Sequence, residues 1–276
     1  MIKRSQFIKN TVLGLSGALL LAACNGGDQP AAAPEADGAA SSAAGDTWTV
    51  GTEPAFPPFE SQGDGGELVG FDIDLMEAIG ERAGATVEFQ SLPFDGLIPS
   101  LQTGAIDAAI SGMTITEERE QTVDFSRPYF RAGLAIAVAE DDEAIKTLSD
   151  LENKAIAVQI GTTGANQAAD IPGAEVSTFD SAPLALQELS NGNVDAVIND
   201  APVTLDAINS GNIPGVKVVG ELLTEEYYGI ALPSDSPNIE AINTALDELI
   251  EDGTYAEIYE KWFGTEPEGE LPESAL

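Results

Sequence analysis

The residues best suited to chemistry lie in one short segment, which contains Gly112, Thr114 and Arg119. Gly112 lets the backbone approach a ligand closely, and Thr114 offers both a hydroxyl and an N–H group. The planar guanidinium of Arg119 can pair with a carboxylate through two parallel hydrogen bonds. Together these residue types indicate a receptor for a small carboxylate. The alternative is a surface helix on which Arg119 only offsets its acidic neighbours.

A strand and a helix must position this segment. The apolar run at residues 108–110 predicts a buried strand that ends at Ser111. Thr116, followed by two glutamates, is typical of a helix start. Arg119 then lies one turn into the helix, from where its side chain can reach back over the end of the strand. Elsewhere strand-like runs alternate with helical patterns, which predicts α/β layers around parallel-rich sheets. A late helix is predicted to start at Ser236 and Pro237.

Six further motifs precede and follow this segment in a fixed order. They are FPPFE at 56–60, VGFDIDL at 69–75, FDGLIP at 94–99, DFSRPYF at 124–130, GTT at 161–163 and WFGTEP at 262–267. The series closely resembles family 3 of the bacterial extracellular solute-binding proteins, the polar amino-acid-binding components of ABC importers, especially the glutamine and arginine binders. The resemblance covers about residues 47–267.

The resemblance implies a type II periplasmic-binding-protein fold, in which two α/β lobes are joined by two crossing segments. Lobe 1 would comprise residues 47–128 and 229–264, and lobe 2 would comprise residues 133–225. The crossing segments would lie near 129–132 and 226–228, and residues 265–276 would form a C-terminal tail. A solute-binding protein of this kind is expected to act as a monomer without a cofactor.

The resemblance also places a ligand site between the lobes. Every free amino acid presents a carboxylate, which Arg119 would bind, and an ammonium group, from which Asp200 would accept a hydrogen bond. The other implied contacts are the donors Gly112, Thr114, Thr162 and Thr163, and the aromatic rings of Phe56 and Phe94, which would sandwich the aliphatic stem. As alternatives, Thr162 and Asp200 are ordinary helix N-caps, and the two phenylalanines are core residues.

Three positions bear on the ligand's side chain. Glu53 matches a position that often carries an acid facing the ligand's distal group. Gln159 stands where glutamine binders may carry lysine, and Asn199 stands where some relatives carry histidine. Glu53 and Gln159 could receive either a carboxamide or a guanidinium, whereas an acidic side chain needs a second cation. Glutamine and arginine are therefore the leading ligands, and glutamate and aspartate are disfavoured.

The N-terminus has the pattern of an export signal. Three basic residues precede an apolar run at 11–23, which is shorter than the roughly 20 residues that cross a bilayer. This pattern predicts a signal peptide at 1–23. The end of the run resembles a lipobox, which would leave Cys24 as a lipid-modified first residue with two acyl chains. Residues 24–46 would form a disordered tether. The protein is thus expected in the cell envelope, anchored by lipid in the periplasmic space or on the outer face of the membrane.

The charge balance is extreme, with 47 Asp and Glu against 11 Lys and Arg. Three of the basic residues lie in the predicted signal, so the mature chain would carry a formal charge of −39. Such a surface repels nucleic acid and anionic lipid headgroups. Solvation alone is one explanation of the acidity. A high-salt habitat, in which counterions screen the self-repulsion, is a sharper hypothesis.

Two other function classes remain open at this stage. Some enzymes of the cyclohexadienyl-dehydratase type are similar in fold. The chain has no histidine and a single cysteine, which removes the commonest acid–base residue, and the motifs place one cation in the cleft. The second class is an extracellular amino-acid sensor, although no transmembrane segment or signalling module follows the motifs. A binding component of an importer, docking on the membrane subunits of an ABC permease, is the preferred interpretation.

Overall fold

The structure, a computed structural model, describes residues 46–267 and 269–276. Its first part supplies four strands of a five-stranded sheet, a small three-stranded sheet and three helices. The elements are β1 (Thr47–Thr52), β2 (Ala55–Phe56), β3 (Glu60–Gln62), β4 (Leu68–Val69), α1 (Phe71–Ala83), β5 (Thr86–Ser91), α2 (Phe94–Gln102), β6 (Ala108–Ala109), α3 (Glu117–Glu120) and β7 (Val123–Phe125).

The chain then crosses to a second five-stranded sheet and returns. The elements on this path are β8 (Phe130–Ala132), β9 (Leu134–Ala139), a 3₁₀ turn (Leu148–Leu151), β10 (Ala155–Gln159), α4 (Thr163–Ala169), β11 (Glu175–Phe179), α5 (Ala182–Ser190), β12 (Ala196–Asp200), α6 (Ala201–Asn209), β13 (Val216–Val219) and β14 (Glu226–Tyr228). After the return come β15 (Ala231–Pro233), α7 (Ile239–Asp252) and α8 (Thr254–Phe263).

The two large sheets have related topologies. The first has the strand order β5-β1-β6-β15-β7, and the second has the order β11-β10-β12-β9-β13. In each, three parallel strands lie beside an antiparallel pair. We refer to the part built on the first sheet as lobe 1 and to the part built on the second as lobe 2. The predicted fold class, two α/β lobes with parallel-rich sheets, is confirmed.

Two segments connect the lobes, and they pair with each other. β8 leads from the first sheet to the second, β14 leads back, and the two strands form an antiparallel ladder from Phe130 with Tyr228 to Ala132 with Glu226. The ladder ties the crossing segments together, so the lobes are joined by one two-stranded connection. The residue limits predicted for the lobes and the C-terminal tail stay predictions. The predicted signal peptide, Cys24 and almost all of the tether lie outside the described residues.

Each lobe has its own apolar core. In lobe 1 the side chains of Phe59, Phe71 and Met76 are fully buried, and rings of the crossing segments, such as Phe130, pack edge-on against Phe59. In lobe 2 the core lies around Ile156 in β10. Across residues 46–267 and 269–276, no helix is both long and apolar enough to cross a membrane. Nor do these residues contain a group of three or more Cys, Asp or Glu that could hold a metal ion.

One helix boundary differs from the sequence prediction. The helix predicted to start at Ser236 and Pro237 starts at Ile239, with Asn238 as its N-cap. The Ser236 hydroxyl accepts a hydrogen bond from the Asn238 N–H, and its carbonyl accepts one from the Ile239 N–H. These bonds close a turn ahead of the helix, because serine side chains compete locally for backbone donors. Helix α8, which follows Gly253 directly, was not expected.

Candidate ligand-binding site

The strand-to-helix segment of lobe 1 takes the predicted form. β6 ends just before Ser111 and Gly112, and Thr116 caps α3 by accepting a hydrogen bond from the Arg119 N–H at 3.2 Å. Gly112 has a φ of +52°, and a Cβ there would lie 2.7 Å from the Phe56 ring. Glycine is therefore required at this position by both its conformation and its packing. Its N–H donates to the Asp72 carboxylate at 2.8 Å, so the donor role predicted for Gly112 towards a ligand is not supported.

Arg119 reaches across the space between the lobes. Its Nη1 donates to the Thr114 carbonyl in lobe 1 at 2.6 Å, and its Nη2 donates to the Gly161 carbonyl in lobe 2 at 3.0 Å. The guanidinium also lies over the Phe94 ring, 5.4 Å from the centroid, a cation–π distance. Burial lowers the pKa of Arg119, and nearby carboxylates, first that of Asp200, act in the opposite direction. Backbone carbonyls, which carry no full charge, are its direct partners.

Lobe 2 presents the start of a helix to the same space. Thr162 is the N-cap of α4, and its hydroxyl accepts from the Ala165 N–H at 3.1 Å and donates to the Gln159 carbonyl at 2.8 Å. The Thr163 hydroxyl donates to Glu226 at 3.0 Å. The N-capping alternative considered for Thr162 is therefore correct, and it is compatible with a place in the cleft.

Asp200 stands at the end of β12 and directly before α6. Its side chain makes no capping hydrogen bond, although it occupies the N-cap position. It is 5% exposed, and its Oδ1 atom forms no regular hydrogen bond among the described residues, although the Tyr228 hydroxyl lies near enough to lower the pKa of Asp200. Burial raises the pKa of Asp200 to about 8, the Glu226 carboxylate adds to this, and Arg119 opposes it. A buried acid with an unpartnered oxygen is costly unless a cation or donor arrives.

Glu53 and Gln159 meet across the lobes at another point of the cleft. Glu53 follows β1 in lobe 1 and is 6% exposed, and Gln159 ends β10 in lobe 2. The Gln159 amide donates to Glu53 Oε2 at 3.3 Å. Burial raises the pKa of Glu53 to about 7, and this hydrogen bond acts in the opposite direction. The group can therefore change its charge near neutral pH.

One cavity of about 10 Å³ collects these side chains. This is room for about one water molecule and far below the roughly 300 Å³ of small-molecule sites, so the lobes must separate to admit an amino acid. Nine of the ten predicted contacts line it, and the tenth, Glu53, is bonded to the lining residue Gln159. The lining residues are Phe56, Phe94, Ser111, Gly112, Thr114, Arg119, Gln159, Thr162, Thr163 and Asp200.

A larger groove of about 770 Å³ lies elsewhere, beside β8, α6, α8 and the C-terminal residues. Much of its lining is apolar, including Phe130, Leu205 and Leu222. Its arginines, Arg127 and Arg131, are ion paired with Asp247 and Glu225 respectively. The smaller cavity is the better candidate for a zwitterionic ligand, because it opposes a cation to a buried acid.

Comparison with known proteins identifies the family. The sequence profile of the bacterial extracellular solute-binding proteins, family 3, matches residues 48–265, which is most of the chain. The chain belongs to this family. One relative, a probable histidine-binding protein of Neisseria gonorrhoeae, is 35% identical over 256 residues, covering 90% of this chain and 92% of the relative.

Solved structures of amino-acid-binding proteins are similar to most of the chain. An ancestral arginine-binding protein bound to arginine has a TM-score of 0.77 and 49% identity, covering 80% of this chain and 100% of its own. The same kind of ancestral protein bound to glutamine has a TM-score of 0.74 and 50% identity, covering 79% and 98%. An ancestral amino-acid-binding protein that is a precursor of cyclohexadienyl dehydratase has a TM-score of 0.73 and 41% identity, covering 79% and 95%. The close relatives are amino-acid-binding proteins and not enzymes.

The sequence did not predict the roles of two cleft residues of this family 3 protein. Ser111 lines the cavity, and its hydroxyl accepts from the Glu53 N–H at 3.0 Å. Glu226 lies in the crossing strand β14, where Oε2 accepts from the hydroxyls of Thr114 in lobe 1 (2.7 Å) and Thr163 in lobe 2 (3.0 Å). Glu226 was predicted as part of a crossing segment, but nothing local in the sequence indicated that its carboxylate contacts both lobes.

Proposed function

We propose that this chain is the substrate-binding component of an ABC importer, which captures a polar amino acid, arginine or glutamine, between its lobes and delivers it to a membrane permease. The observation that carries the proposal is the buried Oδ1 of Asp200, which forms no regular hydrogen bond among the described residues and lies in the cavity that Arg119 also lines. An α-amino acid supplies the two opposite charges that this pair of residues lacks.

The α-carboxylate would pair with the Arg119 guanidinium. That group now donates to the Thr114 and Gly161 carbonyls, and a carboxylate is a stronger acceptor than a neutral carbonyl for a charged donor. The ammonium group would donate to Asp200, which then loses its proton because a cation within hydrogen-bond distance favours the charged form of an acid. Phe56 and Phe94 line the same cavity and would cover the aliphatic stem.

The side chain would extend to Glu53 and Gln159. A guanidinium would convert Glu53 to its charged form, whereas a carboxamide could donate to the carboxyl group and accept from the Gln159 amide. The structural neighbours bound to arginine and to glutamine support both ligands. The histidine-binding relative adds a third polar side chain to be compared. An acidic side chain would meet Glu53 with no second cation lining the cavity among the described residues.

A thermal-shift screen of the twenty amino acids tests the proposal. A ligand present at 100 times its dissociation constant stabilises a two-state protein by about 2.7 kcal/mol, which is a readable shift. Arginine or glutamine is expected to give the largest shift. Arg82→Ala provides a matched control, because Arg82 pairs with Glu248 and Asp252 on the surface. Glutamate binding as tightly as glutamine, or no shift with any amino acid, would contradict the proposal.

We further propose that the mature chain is held outside the cytoplasm by lipid on Cys24. The family consists of extracellular solute-binding proteins, and Cys24 follows the predicted signal peptide but lies outside the described residues. Fractionation of cells that express the full chain, followed by mass spectrometry of the N-terminal peptide, tests this point. Cys24→Ser is expected to release the protein from the membrane fraction. Retention of that variant with an unmodified N-terminus would contradict lipid anchoring.

Catalysis is a second candidate, because burial raises the pKa of Glu53 to about 7, where a general acid works well at neutral pH. One structural neighbour is also a dehydratase precursor. Incubation with a cyclohexadienyl acid, followed by ultraviolet absorbance of the aromatic product, separates the two functions. A binding protein yields no product above the uncatalysed rate, whereas turnover that Glu53→Gln abolishes would establish an enzyme.

A further inference from the structure

Two fully buried carboxyl groups lie side by side beneath the cleft in lobe 1. Glu60 begins β3 and Asp72 is the second residue of α1, and each is 0% exposed. The backbone brings them together, because the Asp72 N–H donates to the Phe59 carbonyl at 2.9 Å and the Phe71 N–H donates to the Pro58 carbonyl at 3.0 Å. Two acids are thus fixed next to each other in an aromatic core.

One oxygen of each carboxyl group supports the ligand-binding segment. Glu60 Oε1 accepts from the Ser111 hydroxyl at 2.7 Å, and that hydroxyl accepts from the Glu53 N–H. Asp72 Oδ2 accepts from the Gly112 N–H at 2.8 Å and from the Tyr129 hydroxyl at 2.8 Å. The pair therefore holds the cleft residues Ser111 and Gly112 from below.

The remaining oxygens, Glu60 Oε2 and Asp72 Oδ1, are buried and lack an ordinary donor among the described residues. The two carboxyl groups nevertheless lie close enough for a hydrogen bond to form between them if one of them carries a proton. Two carboxylates can only accept hydrogen bonds, whereas a carboxylic acid beside a carboxylate supplies one O–H donor and one acceptor. A single proton between them would satisfy both atoms.

The surroundings favour one proton over none. The ionisable groups that face the pair are Glu53 and the hydroxyls of Tyr129, Tyr228 and Tyr255, and none of these is a cation. Within the described part of the chain, neither carboxyl group takes part in an ion pair with lysine or arginine. Burial raises the pKa of Asp72 to about 6 and raises the pKa of Glu60 well above its usual range, to which the Asp72 charge adds. Two neighbouring carboxyl groups cannot both ionise without a large cost in free energy.

We infer that Glu60 and Asp72 share one proton, and that this carboxylic acid–carboxylate pair positions Ser111 and Gly112 for ligand binding. The inference rests on the proposed function for its effect on a ligand. Neutral Glu60 donates to Asp72, and ionised Asp72 accepts from Gly112 and Tyr129. Loss of the proton leaves two charges facing each other, which pushes apart the supports of the binding segment and lowers ligand affinity.

The pair also reaches the connection between the lobes. Tyr129, whose hydroxyl is bound by Asp72, immediately precedes β8, and its N–H donates to the Tyr228 carbonyl in β14 at 2.9 Å. Its own carbonyl accepts from the Tyr255 hydroxyl of α8 at 2.8 Å. One carboxylate therefore contacts both the binding segment and the first crossing segment.

The test compares the full-length wild type with Glu60→Gln, which keeps a donor towards Asp72 and an acceptor for Ser111 but cannot lose a proton. Calorimetry with L-arginine and with L-glutamine at several pH values gives the dissociation constant of the wild type divided by that of Glu60→Gln. Titration of the ligand and of the other cleft residues changes both constants alike and cancels in this ratio. This ratio is expected to rise at least about tenfold as alkaline pH removes the proton from the pair. A ratio that stays constant while the infrared carbonyl band of the pair disappears would overturn the inference.

Glu60→Leu and an infrared measurement complete the design. Glu60→Leu removes both hydrogen bonds and is expected to weaken binding at least about tenfold at neutral pH, whereas Glu60→Gln restores it to within about threefold. The wild type should show the carbonyl stretch of one more protonated carboxyl group than Glu60→Gln. Glu81→Gln, on the exposed face of α1, should leave that band unchanged.

The infrared band needs no ligand, so it separates the two proposals. If no amino acid binds but the band is lost in Glu60→Gln, the proposed function fails while the shared proton stands. If amino acids bind and the wild type and Glu60→Gln have identical bands, the proposed function stands and the shared proton is wrong.

Discussion

The two lobes contribute to the cleft by different structural means. Lobe 2 presents helix starts: Thr162 caps α4, and Asp200 stands at the N-cap of α6. Lobe 1 presents a strand end and a loop, whose conformation depends on buried carboxyl groups beneath them. Local rules thus shape one wall of the cleft, and contacts between distant residues shape the other.

The two walls also differ in how their charged groups are partnered. The Arg119 guanidinium of lobe 1 already has carbonyl partners in both lobes. The Asp200 carboxyl group of lobe 2 has an oxygen without a regular hydrogen bond among the described residues and a pKa raised by burial to about 8. In the proposed complex a ligand would replace existing hydrogen bonds at Arg119, whereas at Asp200 it would supply a missing one and displace a proton.

The largest expected effect is that of Arg119→Ala. Removing one partner of a buried ionic contact costs about 3–5 kcal/mol, so amino-acid affinity should fall by roughly two to three and a half decades. Calorimetry against the wild type measures the loss, and Arg82→Ala controls for the change in total charge. A loss of less than about fivefold would mean that Arg119 does not pair with the ligand's carboxylate and that lobe 1 brings no cation to the ligand.

Asp200→Asn is expected to weaken binding and to stabilise the protein without ligand. Affinity should fall by about 2 kcal/mol or more, roughly thirtyfold, because the amide cannot neutralise an ammonium group. The pKa of Asp200 is raised in the folded state, so its ionisation costs stability progressively as pH rises from about 4 towards about 8. The melting temperature of Asp200→Asn should therefore exceed that of the wild type at pH 8 and match it near pH 4. Equal melting curves at pH 8 would show that ionised Asp200 does not destabilise the folded protein.

The ratio of arginine to glutamine affinity should depend on pH through Glu53. Its pKa of about 7 means that a cationic side chain must expel a proton below neutral pH, whereas a carboxamide need not. Asp200 affects both ligands alike and cancels in the ratio. Arginine should therefore gain about tenfold over glutamine between about pH 6 and about pH 8. Glu53→Gln should abolish this gain, and a pH-independent ratio in the wild type would remove Glu53 from contact with the side chain.

Salt is expected to change ligand affinity little and to increase the thermal stability of the fold clearly. Self-repulsion among exposed carboxylates weakens as the screening length falls from about 10 Å at 0.1 M to about 3 Å at 1 M salt. The melting temperature should rise in sodium chloride both with and without ligand, while affinity changes little because the charged contacts are buried. A melting temperature that stays flat or falls up to 2 M would remove the high-salt hypothesis.

Local sequence signals located much of the cleft. Thr116 and the glutamates after it predicted the helix that carries Arg119, and the glycine and threonines at 161–163 predicted the start of α4. Both signals act within one helical turn, so the sequence contains them completely. Asp200 was also found, but with an open alternative as an N-cap. The structure decides against a capping hydrogen bond, and its role towards a ligand stays a prediction.

The support beneath lobe 1 could not be found in this way. Glu60 and Asp72 both lie in quoted motifs, yet their contact depends on the backbone pairing at Phe59 and on burial by distant aromatic side chains. Glu226 contacts Thr114 across 112 positions of the chain. Such contacts between distant residues leave no periodicity or spacing in a single sequence. The hydrogen bond from the Gly112 N–H to Asp72 is likewise a contact between distant residues that the sequence did not indicate.

A crystal structure with bound L-arginine tests the central claim most directly. The α-carboxylate is expected on the Arg119 guanidinium, the ammonium group on Asp200, and the ligand's guanidinium between Glu53 and Gln159. An arginine bound in the larger groove beside β8 and α8, or bound in the cleft without contact to Arg119 and Asp200, would contradict it.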